Sequence, residues 1–203
     1  MSIINLLLNS IVQIILFTAI PFIWWFIFWR KKERFFKWLG FKRPNIENKR
    51  RYVIIFVITV MVLSIPGLLI IPYFIDVSLL ATNQFYGQGG KALIPALIYA
   101  FLQTSLSEEI FFKGFLTKRF VNKFGFQIGN GLQSLLFGLM HGAMLISSSG
   151  LLGASLVTLF TCIAGWLMGW INEKESDGSI VSSWLLHGIV NYIASIYAMF
   201  ILW

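Results

Sequence analysis

The side chains best suited to chemistry in this sequence lie inside its apolar stretches, where ionisable groups are rare. Outside the basic segments and the loops, the ionisable residues are Glu108, Glu109, His141 and His187, with Lys113 near the end of an apolar stretch. Both histidines of the chain belong to this set. A charge at mid-membrane costs at least ~2.5–3.5 kcal/mol on insertion scales, so such residues are candidates for function.

Helical spacing places several of these residues on shared faces. Glu109 and Lys113 are four residues apart and can pair on one helix face. His187 and Asn191 have the same spacing on another predicted helix, and His141 lies on a third. Three helices can therefore present a carboxylate, an imidazole, and an imidazole with an amide to one interior point. A tilt or a late start of the helix that carries His141 would bring the three groups to one depth.

Such a cluster contains the groups that peptide hydrolysis requires. A carboxylate can take a proton from water, and His or Asn donors can stabilise the oxyanion that develops. Glu108, His141 and His187 also match the ligands of a catalytic zinc ion with an open position, so zinc is one predicted cofactor. Each group alone has a structural alternative: a His or Asn can join two helices, and Glu109 with Lys113 can form a buried ion pair. Their occurrence together favours a functional site.

The composition limits the kind of protein that can position this cluster. Of the 203 residues, 58% are hydrophobic and 12% are charged, against roughly a quarter charged in an ordinary soluble domain. A disordered chain and a typical cytosolic enzyme are excluded, and the single cysteine, Cys162, excludes a disulfide scaffold. The net charge of +8 does not indicate a nucleic-acid partner, because little polar surface is left to build a basic groove. An integral membrane protein remains, with membrane lipid around it.

The apolar runs predict an all-α fold, a polytopic membrane helical bundle of about six transmembrane helices in a single domain, residues 1–203. The predicted spans are residues 3–29, 52–75, 92–116, 126–147, 151–171 and 180 to the C terminus. Residues 76–91 are predicted to form an external loop, and Pro66 can kink the second span. Gly138 and Gly142 form a small-xxx-small pair, which favours close helix packing in lipid.

Basic residues predict the orientation of the bundle. Ten of the sixteen Lys and Arg residues fall within residues 30–51, and a second basic stretch contains Lys118, Arg119 and Lys123. By the positive-inside rule both stretches are cytoplasmic, so that loop 30–51 lies inside and both termini lie outside. The short chain and its Lys-rich, Asn-containing loops indicate a bacterial cell membrane.

Three segments, in order, resemble the motifs of the CPBP family, the CAAX-protease and bacteriocin-processing (Abi) intramembrane proteases. Glu108-Glu109-Ile110-Phe111-Phe112-Lys113 resembles the EExxxR motif of that family. Phe137-Gly138-Leu139-Met140-His141 resembles its FxxxH motif, and His187-Gly188-Ile189-Val190-Asn191 resembles its HxxxN/D motif. The resemblance covers about residues 92–195, whereas the first two spans are not diagnostic.

The resemblance implies a helical membrane fold with a conical cavity open toward the cytoplasm and the membrane. It also implies an endopeptidase that acts on a membrane-associated or lipid-modified protein or peptide, such as a lipoprotein. In that family Glu108 would activate the attacking water with help from His141, and Glu109 would orient the groups around it. His187 and Asn191 would form the oxyanion site. The family has been described both as metalloproteases and as metal-free glutamate proteases, and the resemblance alone leaves both mechanisms open.

One supporting residue departs from the family pattern. Lys113 stands where the family has Arg, which keeps the charge but loses the planar, two-pronged donor. The change favours an alternative function, a non-proteolytic CPBP-type membrane partner in lipoprotein N-acylation, cell-envelope protein handling or bacteriocin immunity, which would bind another membrane protein. Phe137 is the second supporting residue. A small transporter or channel is a weaker alternative, because no inverted repeat is visible.

Overall fold

Six long helices make up the protein, whose computed structural model describes residues 3–200. The long helices are α1 (Ile3–Phe28), α3 (Lys49–Leu69), α4 (93–124), α5 (126–149), α6 (151–170) and α7 (Val181–Phe200), with a short helix α2 (Phe35–Leu39) after α1. The described residues contain no strand, and the predicted all-α fold of about six helices is confirmed. The end of the predicted sixth span, residues 201–203, lies outside the described residues.

Three helical stretches are long and apolar enough to cross a membrane: Ile3–Phe28, Lys49–Tyr73 and Phe126–Glu175. The last of these contains both α5 and α6. Many large apolar side chains of α1 are exposed, among them Ile4 and Leu16, although water would not favour such a surface. Lipid is the environment that suits it, and the protein is therefore an integral membrane protein.

The bounds of α3 differ from the prediction at both ends. The helix begins at Lys49 because the side chain of Asn48 caps it, with Oδ1 accepting a hydrogen bond from the backbone N–H of Arg51 at 3.0 Å. It contains Pro66 and ends at Leu69 instead of residue 75. Beyond it, short 3₁₀ turns form most of the segment 71–92, which corresponds to the predicted loop.

Helix α4 is wound more widely than an α-helix on both sides of Glu108. The segments Tyr99–Leu106 and Glu109–Thr117 are π-helical. The hydroxyl of Thr117 donates to the carbonyl of Phe112 at 2.9 Å. The two residues are five apart, the same spacing as in the backbone hydrogen bonds of a π-helix. Since a π-helix advances by more than 3.6 residues per turn, a spacing of four residues does not place two side chains on one line here. Such segments occur frequently at functional sites.

Helices α5 and α6 pack closely against one another. Gly150, with a φ of 67°, separates them and allows the chain to turn back. A Cβ atom at Gly138 would overlap the Sγ of Cys162, and one at Gly142 would overlap the Oγ1 of Thr158. The close approach predicted from these two glycines is confirmed, and it fixes the position of α5 in the bundle.

The helix ends next to the basic segments are joined to one another. Three ion pairs join the segment 173–177, before α7, to basic residues elsewhere in the chain: Lys42–Asp177 at 2.8 Å, Arg51–Glu175 at 2.8 Å and Lys118–Glu173 at 3.2 Å. The Lys42 ammonium hydrogen-bonded to Asp177 holds the pKa of that carboxyl below its usual value. The Lys42–Asp177 pair is exposed and stabilises the fold little, whereas the side chains of Lys118 and Glu173 are partly buried; together the three pairs fix the loops in place. We call this end of the bundle the basic end.

The core draws residues from five of the long helices. One cluster of buried apolar side chains contains Leu63, Phe112, Phe137, Ala164, Met168, Ile171 and Leu186. A second contact brings α2 against α4. Leu39 of α2 is buried there, and a Cβ atom at Gly114 of α4 would lie 3.1 Å from Cδ2 of Leu39. These contacts fix the relative heights of α4, α5 and α7, which carry the candidate site.

We expect Gly138→Ala to lower the stability of the fold, because the added methyl must displace Cys162 or the backbone of α6. Forced overpacking of this kind costs about 1–3 kcal/mol. The control is Gly131→Ala on the same helix, where the nearest atom, in Trp166, is 3.6 Å from the added Cβ. Thermal unfolding in detergent checks both variants, and an equal loss of stability would contradict the close approach of α5 and α6.

Candidate active site

Glu108 lies at the point where α4, α5 and α7 meet. Its Oε2 atom is 3.8 Å from Nε2 of His141 and 3.9 Å from Nε2 of His187. Within residues 3–200 this oxygen is buried and accepts no hydrogen bond. A buried carboxylate oxygen without a partner is costly, and such groups in native proteins usually bind water or a ligand. The three predicted residues are therefore brought together around a buried oxygen that has no hydrogen-bond partner among the described residues.

The ring of His141 is held by its own helix. Its Nδ1 atom lies 2.8 Å from the carbonyl oxygen of Phe137, and the two rings are in contact, with centroids 4.5 Å apart and planes tilted by 59°. A carbonyl can only accept, so Nδ1 carries the proton and Nε2 of the neutral ring has a free lone pair. That lone pair faces Glu108. Phe137 therefore supports His141 both through its backbone and through its ring.

The ring of His187 is held by Glu109 in a similar way. Nδ1 of His187 lies 3.1 Å from Oε1 of Glu109 and donates to it, which turns Nε2 toward Glu108. The other carboxylate oxygen of Glu109 accepts a hydrogen bond from the hydroxyl of Ser183. Asn172 in turn donates from Nδ2 to that hydroxyl at 2.7 Å. Glu109 is fully buried, and its role in this geometry is to orient His187.

Lys113 does not pair with Glu109 as the spacing predicted. Its Nζ atom donates instead to Oε1 of Gln133 on α5, at 2.9 Å, and lies 4.8 Å from the ring centroid of Phe137. The physical reason is the π-helical winding of Glu109–Thr117, which changes the direction in which residue 113 projects. Lys113 is 1% exposed, so it joins α4 to α5 at the side of the site.

Asn191 lies on α7 close to His187 and lines the same cavity. Its Nδ2 atom donates to Oγ1 of Thr104 on α4 at 2.9 Å. One N–H of the amide is used in this bond, and the second N–H is available to another acceptor.

A cavity of about 560 Å³ adjoins these residues. Glu108, His141, His187 and Asn191 contribute to its lining. Most of the remaining lining is apolar: Leu63, Leu68, Ile71, Leu79, Leu80, Met144, Leu145, Val157, Phe160 and Val190 are among its residues. A volume of this size holds a short peptide segment or a lipid chain.

The cavity runs along the bundle from the candidate site to the loop segment. It extends from Glu108 toward residues 79–82, at the end of the bundle opposite the basic end. His187 is the sixth residue after Val181, so the lining also reaches toward the basic end, where α2 and the ion pairs described above pack. The opening toward the cytoplasm that the resemblance implies stays a prediction.

The zinc prediction can be compared with these distances. Nitrogen and oxygen ligands about 2.0–2.2 Å from a tetrahedral zinc ion lie about 3.4 Å from one another. The two distances from Oε2 of Glu108 to the imidazole nitrogens are longer, at 3.8 and 3.9 Å. Among the described residues, no group of three or more His, Cys, Asp or Glu is arranged to hold a metal ion. The side chains as they stand do not fit zinc, which stays a prediction.

Sequence reasoning missed the neutral residues that hold the site. These are Ser183, Asn172, Thr104 and Gln133. Ser and Thr are common in membrane helices, so their types carry little information. Asn172 lies just beyond the predicted fifth span, residues 151–171, although it is 1% exposed. Gln133 is an amide inside a predicted span, and this feature could have marked it in advance.

The fold is a membrane-embedded helical bundle that gathers ionisable side chains at one interior place. A family model described as type II CAAX prenyl endopeptidase Rce1-like matches residues 90–193, just over half of the chain. The chain belongs to this family, and the resemblance to CAAX proteases is confirmed. No curated protein and no solved structure matches the chain.

We expect the Lys113–Gln133 contact to show as an energetic coupling. Lys113→Met and Gln133→Met should each destabilise the protein, because each leaves a buried polar group without its partner. The double variant should lose less than the sum, by about 1 kcal/mol. Unfolding in detergent measures the cycle, with exposed Lys91→Met as the control. Strictly additive losses would show that the two side chains do not interact.

Proposed function

We propose that the protein is an intramembrane endopeptidase that hydrolyses a peptide bond in a membrane-associated or lipid-modified protein or peptide. The observation that supports this most is the convergence of Nε2 of His141 and Nε2 of His187 on Oε2 of Glu108. These atoms lie at one end of a largely apolar cavity. Family membership supports the class of reaction.

The proposed first step uses a water molecule between Glu108 and His141. The gap of 3.8 Å is too long for a direct hydrogen bond but allows one water to contact both Oε2 and Nε2. Glu108 takes a proton from this water as its oxygen attacks the peptide carbonyl carbon. The C–N bond then breaks, and the proton held by Glu108 passes to the leaving nitrogen. His141, fixed by Phe137, holds the water in line.

The proposed oxyanion site consists of His187 and Asn191. To donate from Nε2, His187 must carry a proton on both ring nitrogens, and Glu109 at Nδ1 supplies the opposite charge that stabilises this form. The second N–H of Asn191 is the other donor. Donors fixed before the reaction stabilise the developing charge without reorganisation. Glu109 acts here through His187, as a positioning residue, with Ser183 holding it in place.

A non-proteolytic role as a membrane partner is the competing proposal. Its specific support is Lys113, which contacts Gln133 instead of bracing a glutamate with a two-pronged donor. This proposal predicts a stable complex with another membrane protein and no cleaved product. Cleavage of a peptide by the purified chain alone would exclude it.

We also propose the location that the charge pattern predicts. The protein lies in a bacterial cell membrane with the basic segment 30–51 in the cytoplasm and both termini outside.

We expect Glu108→Gln to abolish hydrolysis, because the amide cannot take a proton from water. His141→Ala should lower the rate by about 10²-fold or more. The control is Glu47→Gln, a change of the same type at an exposed position outside the site. Cleavage of a membrane-reconstituted peptide library is followed by mass spectrometry. Full activity of Glu108→Gln, with normal folding, would reject the glutamate mechanism.

The metal requires its own measurement, because Glu108, His141 and His187 are also the predicted zinc ligands. The metal-free mechanism predicts that the purified protein contains no stoichiometric zinc and keeps its activity in a chelator. The zinc mechanism predicts about one zinc per chain, which His187→Ala loses. Elemental analysis of wild type and variant, together with the chelator assay, separates the two.

A further inference from the structure

We propose that Asn172, two residues beyond α6 and outside the three motifs, is a positioning residue for His187. It acts through Ser183 and Glu109, along a chain of hydrogen bonds that begins next to the ion pairs of the basic end. The inference rests on the proposed function for its effect on cleavage. The effect on the orientation of the His187 ring follows from the contacts alone.

The first step of the chain joins Asn172 to Ser183 by two hydrogen bonds. Nδ2 of Asn172 donates to Oγ of Ser183 at 2.7 Å, and Oδ1 of Asn172 accepts from the backbone N–H of Ser183 at 3.0 Å. Ser183 is the third residue of α7, and N–H groups in the first turn of a helix have no partner within that helix. Asn172 therefore caps α7 and also contacts the hydroxyl of the same serine.

The second step is set by the direction of the Ser183 hydroxyl. Its oxygen accepts from Asn172, so its proton is available to another acceptor. Two acceptors are in reach, Oε2 of Glu109 and the carbonyl of Ile180, the latter at 3.2 Å. Hydrogen bonds to an ionised acceptor are the stronger ones, so the hydroxyl donates to the carboxylate of Glu109.

The last step carries this order to the ring of His187. Oε2 of Glu109 is occupied by Ser183, and Oε1 accepts from Nδ1 of His187 at 3.1 Å. Each carboxylate oxygen thus has one donor, and Glu109 and Ser183 are both 0% exposed. The ring of His187 cannot turn without breaking a hydrogen bond that no solvent replaces. Groups that orient a histidine in this way keep its other nitrogen directed at the reacting atoms.

Asn172 is itself held by the segment that follows it. Its carbonyl accepts from the backbone N–H of Gly178 at 2.7 Å, which closes residues 172–178 into a loop. Lys118 on α4 donates to the carbonyl of Gly178 at 2.7 Å and pairs with Glu173, the residue after Asn172. The orientation of a ring inside the site therefore depends on contacts made at the basic end.

The neighbouring serine, Ser182, provides a matched control. It is 0% exposed, like Ser183, and lies on the same helix. Its Oγ atom contacts the hydroxyl of Tyr52 at 2.8 Å and that of Ser176 at 2.7 Å. These contacts join α7 to α3 and to the segment before α7. Ser182→Ala therefore disturbs buried hydrogen bonds at the same depth without touching the chain from Asn172 to His187.

Two variants break the chain at different points. Ser183→Ala removes the hydroxyl that Glu109 accepts from. Asn172→Asp keeps an oxygen that can accept from the backbone N–H of Ser183, so α7 stays capped, but it cannot donate to the serine. Its carboxylate accepts the serine proton instead and withdraws it from Glu109. Because the cap is kept, Asn172→Asp tests the inference even if Ser183→Ala does not fold.

Nitrogen NMR of the purified protein with isotope-labelled histidine reads the ring directly and needs no catalysis. The chain contains two histidines, so the ring signals of His187 and His141 are assigned by comparison with His141→Gln. In Ser183→Ala and Asn172→Asp the Nδ1 proton of His187 should exchange with solvent about tenfold faster, which is roughly the worth of one hydrogen bond. The Nδ1 proton of His141 should exchange as in wild type. Unchanged exchange at His187 in both variants, or equal acceleration in Ser182→Ala, would overturn the inference.

Kinetics connect the chain with turnover. With a peptide from the library that the wild type cleaves, Ser183→Ala and Asn172→Asp should lower kcat by about tenfold or more and leave KM unchanged, because only the transition state loses an oriented donor. Ser182→Ala should leave both constants unchanged. An equal loss of kcat in Ser182→Ala would overturn the inference. If the wild type cleaves no peptide, the proposed function fails, and the NMR measurement alone decides whether Asn172 orients His187.

Discussion

The structure depends on how a buried carboxylate at Glu108 is accommodated between three helices. Each imidazole beside it has Nδ1 occupied, by a backbone carbonyl for His141 and by Glu109 for His187. Both rings are thereby oriented with Nε2 toward Glu108, at distances too long for a direct hydrogen bond and suited to a bridging water molecule. A membrane interior offers no solvent to satisfy such a group, so the surrounding polar residues must do so. In the proposed mechanism, a water molecule binds at Oε2 of Glu108, which has no protein partner within residues 3–200.

The buried polar contacts around the site and the cavity lie on different sides of Glu108. On one side of the site lie the buried network of Glu109, Ser183 and Asn172 and the contact between Lys113 and Gln133. The basic end is closed by ion pairs and by α2. On the other side lies the cavity, most of whose lining is apolar. A site on well-packed helices with one open side is the arrangement that positioned catalytic groups require.

The sequence was sufficient for the class of fold and for the residues that meet at the site. Ionisable groups in apolar stretches are rare, so Glu108, His141 and His187 could be recognised without coordinates. The partner of Lys113 could not be recognised in this way. π-Helical winding depends on tertiary packing, and in a π-helix residues four apart no longer share one face. The extent of the cavity also depends on tertiary packing, which no local pattern indicates.

The most direct test of the account is an experimental map of the protein in lipid at a resolution that shows ordered water. The account predicts a water molecule in hydrogen-bond contact with Oε2 of Glu108 and with Nε2 of His141, next to Nε2 of His187. A carboxylate of Glu108 turned away from both rings, or a dry apolar contact at this place, would contradict it. The hydrolytic proposal would then lose its main support, and a lipid-embedded helical bundle of the same family would remain.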